Sequence, residues 1–337
     1  MAYPPPPTTP FGTQFAPIMT TASFKGGAWT ETEVVPVAPI PFHPATHVFH
    51  YGSACFEGLK AHRGLDGSVR IFRLDRHVER FRGSTEVLML PDPGVERLTD
   101  MVIRAVQANA EHVPVAPGSL YLRPTMIGTE PNIGAAGSPS KEAMLFVLCS
   151  PVGDYFAGGL RPLKIAVETE QPRTTPMFGR VKAAANYALA LAITQQRKRE
   201  LGVDQVLFAP HGDVAETGAS NFMLIDDDRV VTKALDDSFL HGVTRDSLLT
   251  MARDLGYRVE ERHVGLDEVI SWAERGGEAA LSGTAAVLAP VGTLAYKDRE
   301  IRFGQGDIGK NTLRLRQALV DLHVGAVEDT HGWIRVV

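Results

Sequence analysis

The sequence predicts a mixed α/β protein built as two domains, and three observations carry that reading. Its 337 residues are enough for two domains with a core each. Strand-like runs alternate with stretches whose apolar residues recur at helix spacing. A glycine-containing connector without periodicity, GDYFAGG at 153–159, separates two such series. We therefore expect a small N-terminal α/β domain at 1–149 with residues 1–12 as a loose, proline-stiffened tail. A connecting loop at 150–160 and a larger domain at 161–337 follow.

In the first series, SVRIFRL and SLYLRPTMI read as strands, and between them Leu98, Met101, Val102, Ala105 and Val106 mark one face of a helix. The run MLFVLC closes the series and places Cys149 in the core. The second series opens with KIAVETE and continues through the alanine-rich stretch from Ala183 towards Gly202, a strong helix former. Strands are expected at QVLFAP, NFMLID and AALSGT. A helix at 245–255 carries Leu248, Met251, Ala252 and Leu255 on one face and stops at Gly256. A last helix, at about 311–323, carries Leu315, Ala318, Leu319 and Leu322.

Composition excludes several classes of function. A net charge of -5, with no basic run interleaved with aromatics, argues against a nucleic-acid partner. The longest apolar stretch, 143–149, is far short of the roughly 20 residues a spanning helix needs. The N-terminal segment has neither a basic start nor an apolar core, so a cytoplasmic protein is expected. Two cysteines, Cys55 and Cys149, exclude a disulfide framework and a multi-cysteine zinc cluster. His47 and His50 sit in a strand-like stretch with no third ligand nearby, and no metal is expected.

Gly304, Gly306 and Gly309 match the GxGxxG pattern, but no full βαβ unit follows them, so a turn into the last helix explains them better than a dinucleotide site. The nucleotide-binding dehydrogenase stays only as a remote alternative. More informative is Lys182, between a loop and the alanine-rich helix, where an apolar setting lowers an amine's pKa and makes it a nucleophile. Taken alone, a solvated surface lysine explains it better. The surrounding set changes that balance: Arg80 after RLDRHVE, Glu216 in DVAETGASNF, and Thr244 and Thr284 where backbone amides can cradle an anion. One amine, one carboxylate and several phosphate donors suit pyridoxal 5′-phosphate.

The segments HYGSACFEGLKAHRG, RLDRHVERFRGS, SLYLRPTMIGTEPNIG, the KxxxNY of Lys182 to Tyr187, ETGASNF, LHGVTRD and LSGTAAVLAPV run in order from about residue 40 to the end. In them the chain resembles the branched-chain amino acid aminotransferases, class IV enzymes of fold type IV. The resemblance implies a larger domain with a pseudo-barrel sheet and flanking helices, and transamination of branched-chain or related L-amino acids with 2-oxoglutarate and L-glutamate. It also implies that Lys182 holds the cofactor and carries the proton, Glu216 meets the pyridine nitrogen and Tyr187 the ring oxygen. Arg80 and the amides of Val243, Thr244 and Thr284 would hold the phosphate. Tyr51, Phe56 and Tyr155 would wall the side-chain pocket, and Tyr121 with the Thr284 and Ala285 amides would take the α-carboxylate. Arg123 would receive the distal carboxylate of glutamate. Period-two geometry sets Phe56, Gly58 and Lys60 on one strand face, and Tyr121 and Arg123 on another.

Family members complete a neighbour's site with their small domain, which implies a homodimer or higher homo-oligomer. Ala183 and Ala184 stand where relatives usually carry a glycine pair, His241 replaces a proline, and QPRTTPMFGRV lacks the usual glycine-rich lead into the lysine. These departures favour the alternative of a specialised class IV enzyme acting on an unusual amino acid; a D-amino acid or an (R)-amine substrate is a further alternative, although the enzymes that use them resemble this chain less well in the substrate strands.

Overall fold

The computed structural model describes residues 3–156 and 158–337. Contacts divide the chain into two units: Met1–Ala157 with Val181–Ala185 and Leu322–Val337, and Gly158–Arg180 with Asn186–Asp321.

The first unit contains β1 (Ile18–Lys25), β2 (Ala28–Trp29), β3 (Glu33–Pro36), α1 (His47–Tyr51), β4 (Ala54–Phe56), β5 (Leu59–Arg63), β6 (Val69–Phe72), α2 (Leu74–Val87), α3 (Val95–Ala108), β7 (Ser119–Gly128) and β8 (Ala143–Val152). Among the described residues its sheet runs β17-β6-β5-β7-β8-β1-β2, with β3 on β1 and β4 on β7, where β17 is the C-terminal Ile334–Val336. The apolar stripe read from the sequence faces inward: Leu98, Met101, Val102, Ala105 and Val106 of α3 are all buried, with Val78 and Phe81 of α2 beside them. Each large side chain so buried stabilises the unit by about 1.5–3 kcal/mol. Cys149 is a free, buried core thiol, and burial pushes it up to about 12.

In the second unit are β9 (Leu163–Glu168), β10 (Gln205–Phe208), β11 (Asn221–Ile225), β12 (Arg229–Lys233), α5 (Val243–Asp254), β13 (Arg258–Arg262), α6 (Leu266–Glu274), β14 (Glu278–Gly283), β15 (Val287–Tyr296) and β16 (Arg299–Arg302). Two helices, α4 (Ala184–Leu201) and α7 (Lys310–Val324), run between stretches assigned to the two units. The sheet order is β10-β9-β15-β14-β11-β12-β13, with β16 on β15. Gly256, at φ +90°, takes the left-handed turn that ends α5, a conformation open to glycine without steric cost. The GxGxxG run is a turn into α7, whose Asn311 and Thr312 N–H groups donate to the Glu278 carboxylate at 3.0 and 2.8 Å. An acidic side chain of the same unit therefore occupies the place a phosphate would take.

Three expectations need correction. Residues 322–337 belong to the first unit and not to a 161–337 domain, because β17 pairs antiparallel with β6 and the Trp333 carbonyl accepts the Arg73 N–H at 2.7 Å. The described part of the expected tail, residues 3–12, is anchored: the Arg63 guanidinium lies 4.1 Å from the Tyr3 ring centroid, and the Pro4 carbonyl accepts the Val115 N–H at 3.0 Å. Prolines lose little backbone freedom on docking, so a few contacts suffice to hold the segment. Met1 and Ala2 lie outside the described residues, as does Ala157 of the expected 150–160 loop. His47 and His50 lie in the short helix α1 and not in a strand; His47 bonds Ser53 Oγ at 2.8 Å, and His50 bonds the Pro44 carbonyl at 3.0 Å.

The returning C-terminal segment brings His323 to stack on His62, with ring centroids 4.3 Å apart and planes 13° off parallel. Burial first, then the charges of His323 and Lys60, hold His62 well below the usual imidazole pKa of 6.5. The folded state therefore favours the neutral ring, and the stability it contributes is present above about pH 6.5 and lost as pH falls below it. Urea unfolding should show an acid limb with a slope of up to about 1.4 kcal/mol per pH unit from this group. His62→Phe, which keeps a ring against His323, should flatten that limb; an unchanged slope would assign the acid sensitivity elsewhere.

Candidate active site

In the first unit the expected nucleophile is held by its backbone. The Lys182 N–H donates to Ser84 Oγ of α2 at 3.0 Å, and its carbonyl accepts the Phe56 N–H at 3.1 Å. Ala183 forms an isolated antiparallel bridge with Cys55. The amine itself stands 5.1 Å from the Phe56 ring centroid. Arg80 lies one turn before Ser84 on the same helix, so a single rigid element presents both the arginine and the lysine segment.

Strands β4 and β5 continue one register against β7, Phe56 opposite Thr125 and Lys60 opposite Tyr121, with a break at Glu57–Gly58. Pro124 lies opposite that break and cannot donate a ladder bond, but its carbonyl accepts the Glu57 N–H at 2.8 Å. The shared register makes the Phe56, Gly58, Lys60 face and the Tyr121, Arg123 face one surface. There the Arg123 guanidinium lies 4.5 Å from the Phe56 ring centroid and donates to the Tyr121 hydroxyl at 2.9 Å. Gly58 is required where it stands, because a Cβ would overlap the Tyr121 hydroxyl. Tyr155 joins this group through Phe11, whose ring meets Tyr121 at 5.0 Å and Tyr155 at 6.3 Å, both edge-on. Tyr51 keeps other company: its hydroxyl donates to the Ile133 carbonyl and its ring lies 4.9 Å from that of His47.

The second unit gathers the other expected group. Glu216 is 2% exposed, and its carboxylate accepts from Arg173 Nη1 at 2.7 Å, the Leu240 N–H at 3.0 Å and Asn221 Nδ2 at 3.1 Å. Arg173 is itself buried, donates to the Gly218 carbonyl at 3.2 Å, and lies 5.3 Å from the Tyr187 ring centroid. One guanidinium thus fixes both the carboxylate and the phenol. Asn186, fully buried, ties the loop ahead of the lysine to α4 by accepting from Thr174 Oγ1 at 2.7 Å and donating to the Phe178 carbonyl at 2.9 Å.

Val243 and Thr244 open α5, whose cap, Gly242, offers no side-chain acceptor. The first N–H groups of a helix lack intrahelical partners and favour an anion. Thr284 and Ala285 form the turn between β14 and β15, followed by Val287 at φ +62°. A β-branched residue there is strained by about 1–3 kcal/mol and needs support. Arg316 of α7 supplies it, donating to the Ala286 carbonyl and, at 3.2 Å, to that of Leu288. His241 bonds the Asp236 carbonyl at 2.9 Å.

A profile for the family described as amino-transferase class IV matches residues 54–294. The chain belongs to that family. A probable branched-chain-amino-acid aminotransferase of Streptomyces coelicolor is 39% identical, aligned over 97% of this chain and 92% of its own length. The branched-chain-amino-acid aminotransferase of Mycolicibacterium smegmatis is 36% identical over 91% and 86%. The solved T.th. branched-chain amino acid aminotransferase with pyridoxamine 5′-phosphate superposes with a TM-score of 0.78 at 27% identity, covering 96% of this chain and 99% of that one. Within class IV, then, the chain groups with the branched-chain amino acid aminotransferases and shares their fold type IV architecture. It is an aminotransferase.

Four residues of this arrangement receive no role from the sequence alone. Phe11, Glu57, Arg173 and Arg316 each touch an expected site residue or the turn that carries one. The donor set fits the cofactor class: the first unit offers an amine and a guanidinium, the second a buried carboxyl group paired with a guanidinium, a phenol and a helix start.

Proposed function

We propose that this chain transfers amino groups between branched-chain L-amino acids and 2-oxoglutarate, with pyridoxal 5′-phosphate as cofactor. When bound, that group supplies an aldehyde that joins an amine and a ring that accepts an electron pair. Lys182 provides the amine and carries the proton at the substrate α-carbon. Glu216, held by Arg173, receives the pyridine nitrogen, and Tyr187 hydrogen-bonds the ring oxygen. Arg80 and the amides of Val243, Thr244 and Thr284 bind the phosphate. Tyr121 with the Thr284 and Ala285 amides takes the α-carboxylate. Tyr51, Phe56 and Tyr155 wall the side-chain pocket, and Arg123 receives a distal carboxylate.

The observation that carries this reading is the Phe56 ring, which has the Lys182 amine and the Arg123 guanidinium 5.1 and 4.5 Å from its centroid. An apolar face beside one forked cation accommodates an aliphatic side chain or a carboxylate in turn. Each methylene contributes about 0.8 kcal/mol in such a pocket, so leucine, isoleucine and valine should be used with similar efficiency.

The test is to follow the cofactor's visible absorbance while adding L-leucine, L-valine, D-alanine or an (R)-amine. Bleaching by L-leucine and L-valine, with recovery on 2-oxoglutarate, is the expected result. Bleaching only by D-alanine or the (R)-amine would move the activity to a sister class. The finer part of the proposal is a homodimer in the cytoplasm. The family resemblance supports the dimer, and two free thiols support a reducing compartment. Gel filtration of the same preparation at only 36.5 kDa would count against the dimer.

A further inference from the structure

The arginine assigned to the phosphate is gripped along one edge by an acid. Glu57, central in the FEG run at 56–58, is 1% exposed. Its Oε2 accepts from Arg80 Nε at 2.8 Å and its Oε1 from Arg80 Nη2 at 2.5 Å. Oε1 also lies 3.2 Å from His77 Nδ1 and accepts the Gly58 N–H at 2.7 Å. Burial alone drives this carboxyl towards its neutral form, but the Arg80 charge and the hydrogen bonds from Arg80 hold it well below the usual carboxylate range.

An ion pair this buried is weak evidence for stability, because desolvation offsets its attraction. Its place in the fold points elsewhere. Glu57 occupies the two-residue break between β4 and β5, and the break turns its carboxylate onto α2. The neighbouring Phe56 and the helix residue Ser84 both hold the Lys182 backbone. One framework therefore fixes the lysine segment and the plane of the arginine together.

We propose that Glu57 is the positioning residue of the phosphate site, its bidentate grip fixing the orientation in which the Arg80 guanidinium meets the cofactor's phosphate ester. The inference rests on the assignment of Arg80 made above. Glu57 is also a like charge to the phosphate, so two effects oppose. Its charge is already shared among N–H donors of Arg80 and Gly58, and orientation is expected to dominate.

The experiment compares pyridoxal phosphate with pyridoxal, which lacks the phosphate, in titrations of the apoenzyme followed by visible absorbance. Glu57→Gln keeps the side-chain length but sets an amide N–H against a guanidinium N–H, so one of the two bonds is lost. Affinity for pyridoxal phosphate should fall about 10-fold or more while that for pyridoxal stays within about 2-fold. An equal loss for both forms would make Glu57 a structural residue only, and unchanged or tighter phosphate-form binding would mean that repulsion governs; either overturns the proposal. If Glu57→Gln does not fold, Arg80→Gln is compared with the double variant Arg80→Gln, Glu57→Gln. With Arg80 gone only the like charge of Glu57 remains, so the double variant should bind pyridoxal phosphate as well as Arg80→Gln or more tightly, and a further loss in the double would show that Glu57 acts independently of Arg80 and overturn the proposal. A wild-type apoenzyme that binds both forms equally would instead overturn the assignment of Arg80 itself, and this inference with it.

Discussion

Lys182→Ala is expected to lower the rate of amino-group exchange by at least about 10⁴-fold while leaving the fold intact. The lysine meets the protein in two separable ways. Its backbone is built into the first unit through Ser84 and Phe56, and alanine retains both bonds. Its half-buried side chain contributes little that the fold needs, so unfolding should shift by less than about 1 kcal/mol. Lys182→Arg separates charge from proton transfer, because a guanidinium with a pKa above about 12 keeps its proton and cannot serve as a base. It should be as inactive as the alanine variant. Added methylamine should restore part of the alanine variant's rate and none of the arginine variant's, since only the first leaves room for an amine. Appreciable activity in Lys182→Arg would remove the lysine from its assigned place.

Elements with a repeating apolar pattern were legible before any coordinates. The α3 stripe from Leu98 to Val106 is a pure periodicity signal, and each residue named for it is buried. The short helix α1 carries no such signal, since five residues complete little more than one turn, and His47 and His50 read as part of a strand. The lysine and glutamate assigned to the site stand out in the sequence because their segments keep a family order. Arg173 was not: it lies in a loop without periodicity, and only the folded chain brings it to Glu216, 43 positions away. Phe11 was hidden by composition, because a proline-rich segment reads as loose until its ring is seen against Tyr121 and Tyr155. Arg316 reads as one more surface charge on a helix, and its value depends on a strained carbonyl pair about 30 residues earlier. In each case the missing information is a long-range polar or aromatic contact, which leaves no local pattern.

Glu216 offers the second large effect, and the arginine beside it makes the effect separable from stability. Glu216→Gln should lower kcat by about 10²–10³-fold with the amino-donor KM changed only a few-fold, because the loss falls on charge developed during reaction more than on binding. The same change leaves Arg173 a buried cation without its carboxylate, at an expected stability cost of up to about 3–5 kcal/mol. A lower rate in this variant alone would therefore be ambiguous. Adding Arg173→Gln removes the stranded charge and lets two amides pair, so the double variant should regain most of the lost stability. Its kcat should not recover, since no carboxylate remains to meet the pyridine nitrogen. If instead rate and stability return together, Glu216 acts by holding Arg173 and Tyr187 in place, and the ring-nitrogen role passes to another group of the second unit.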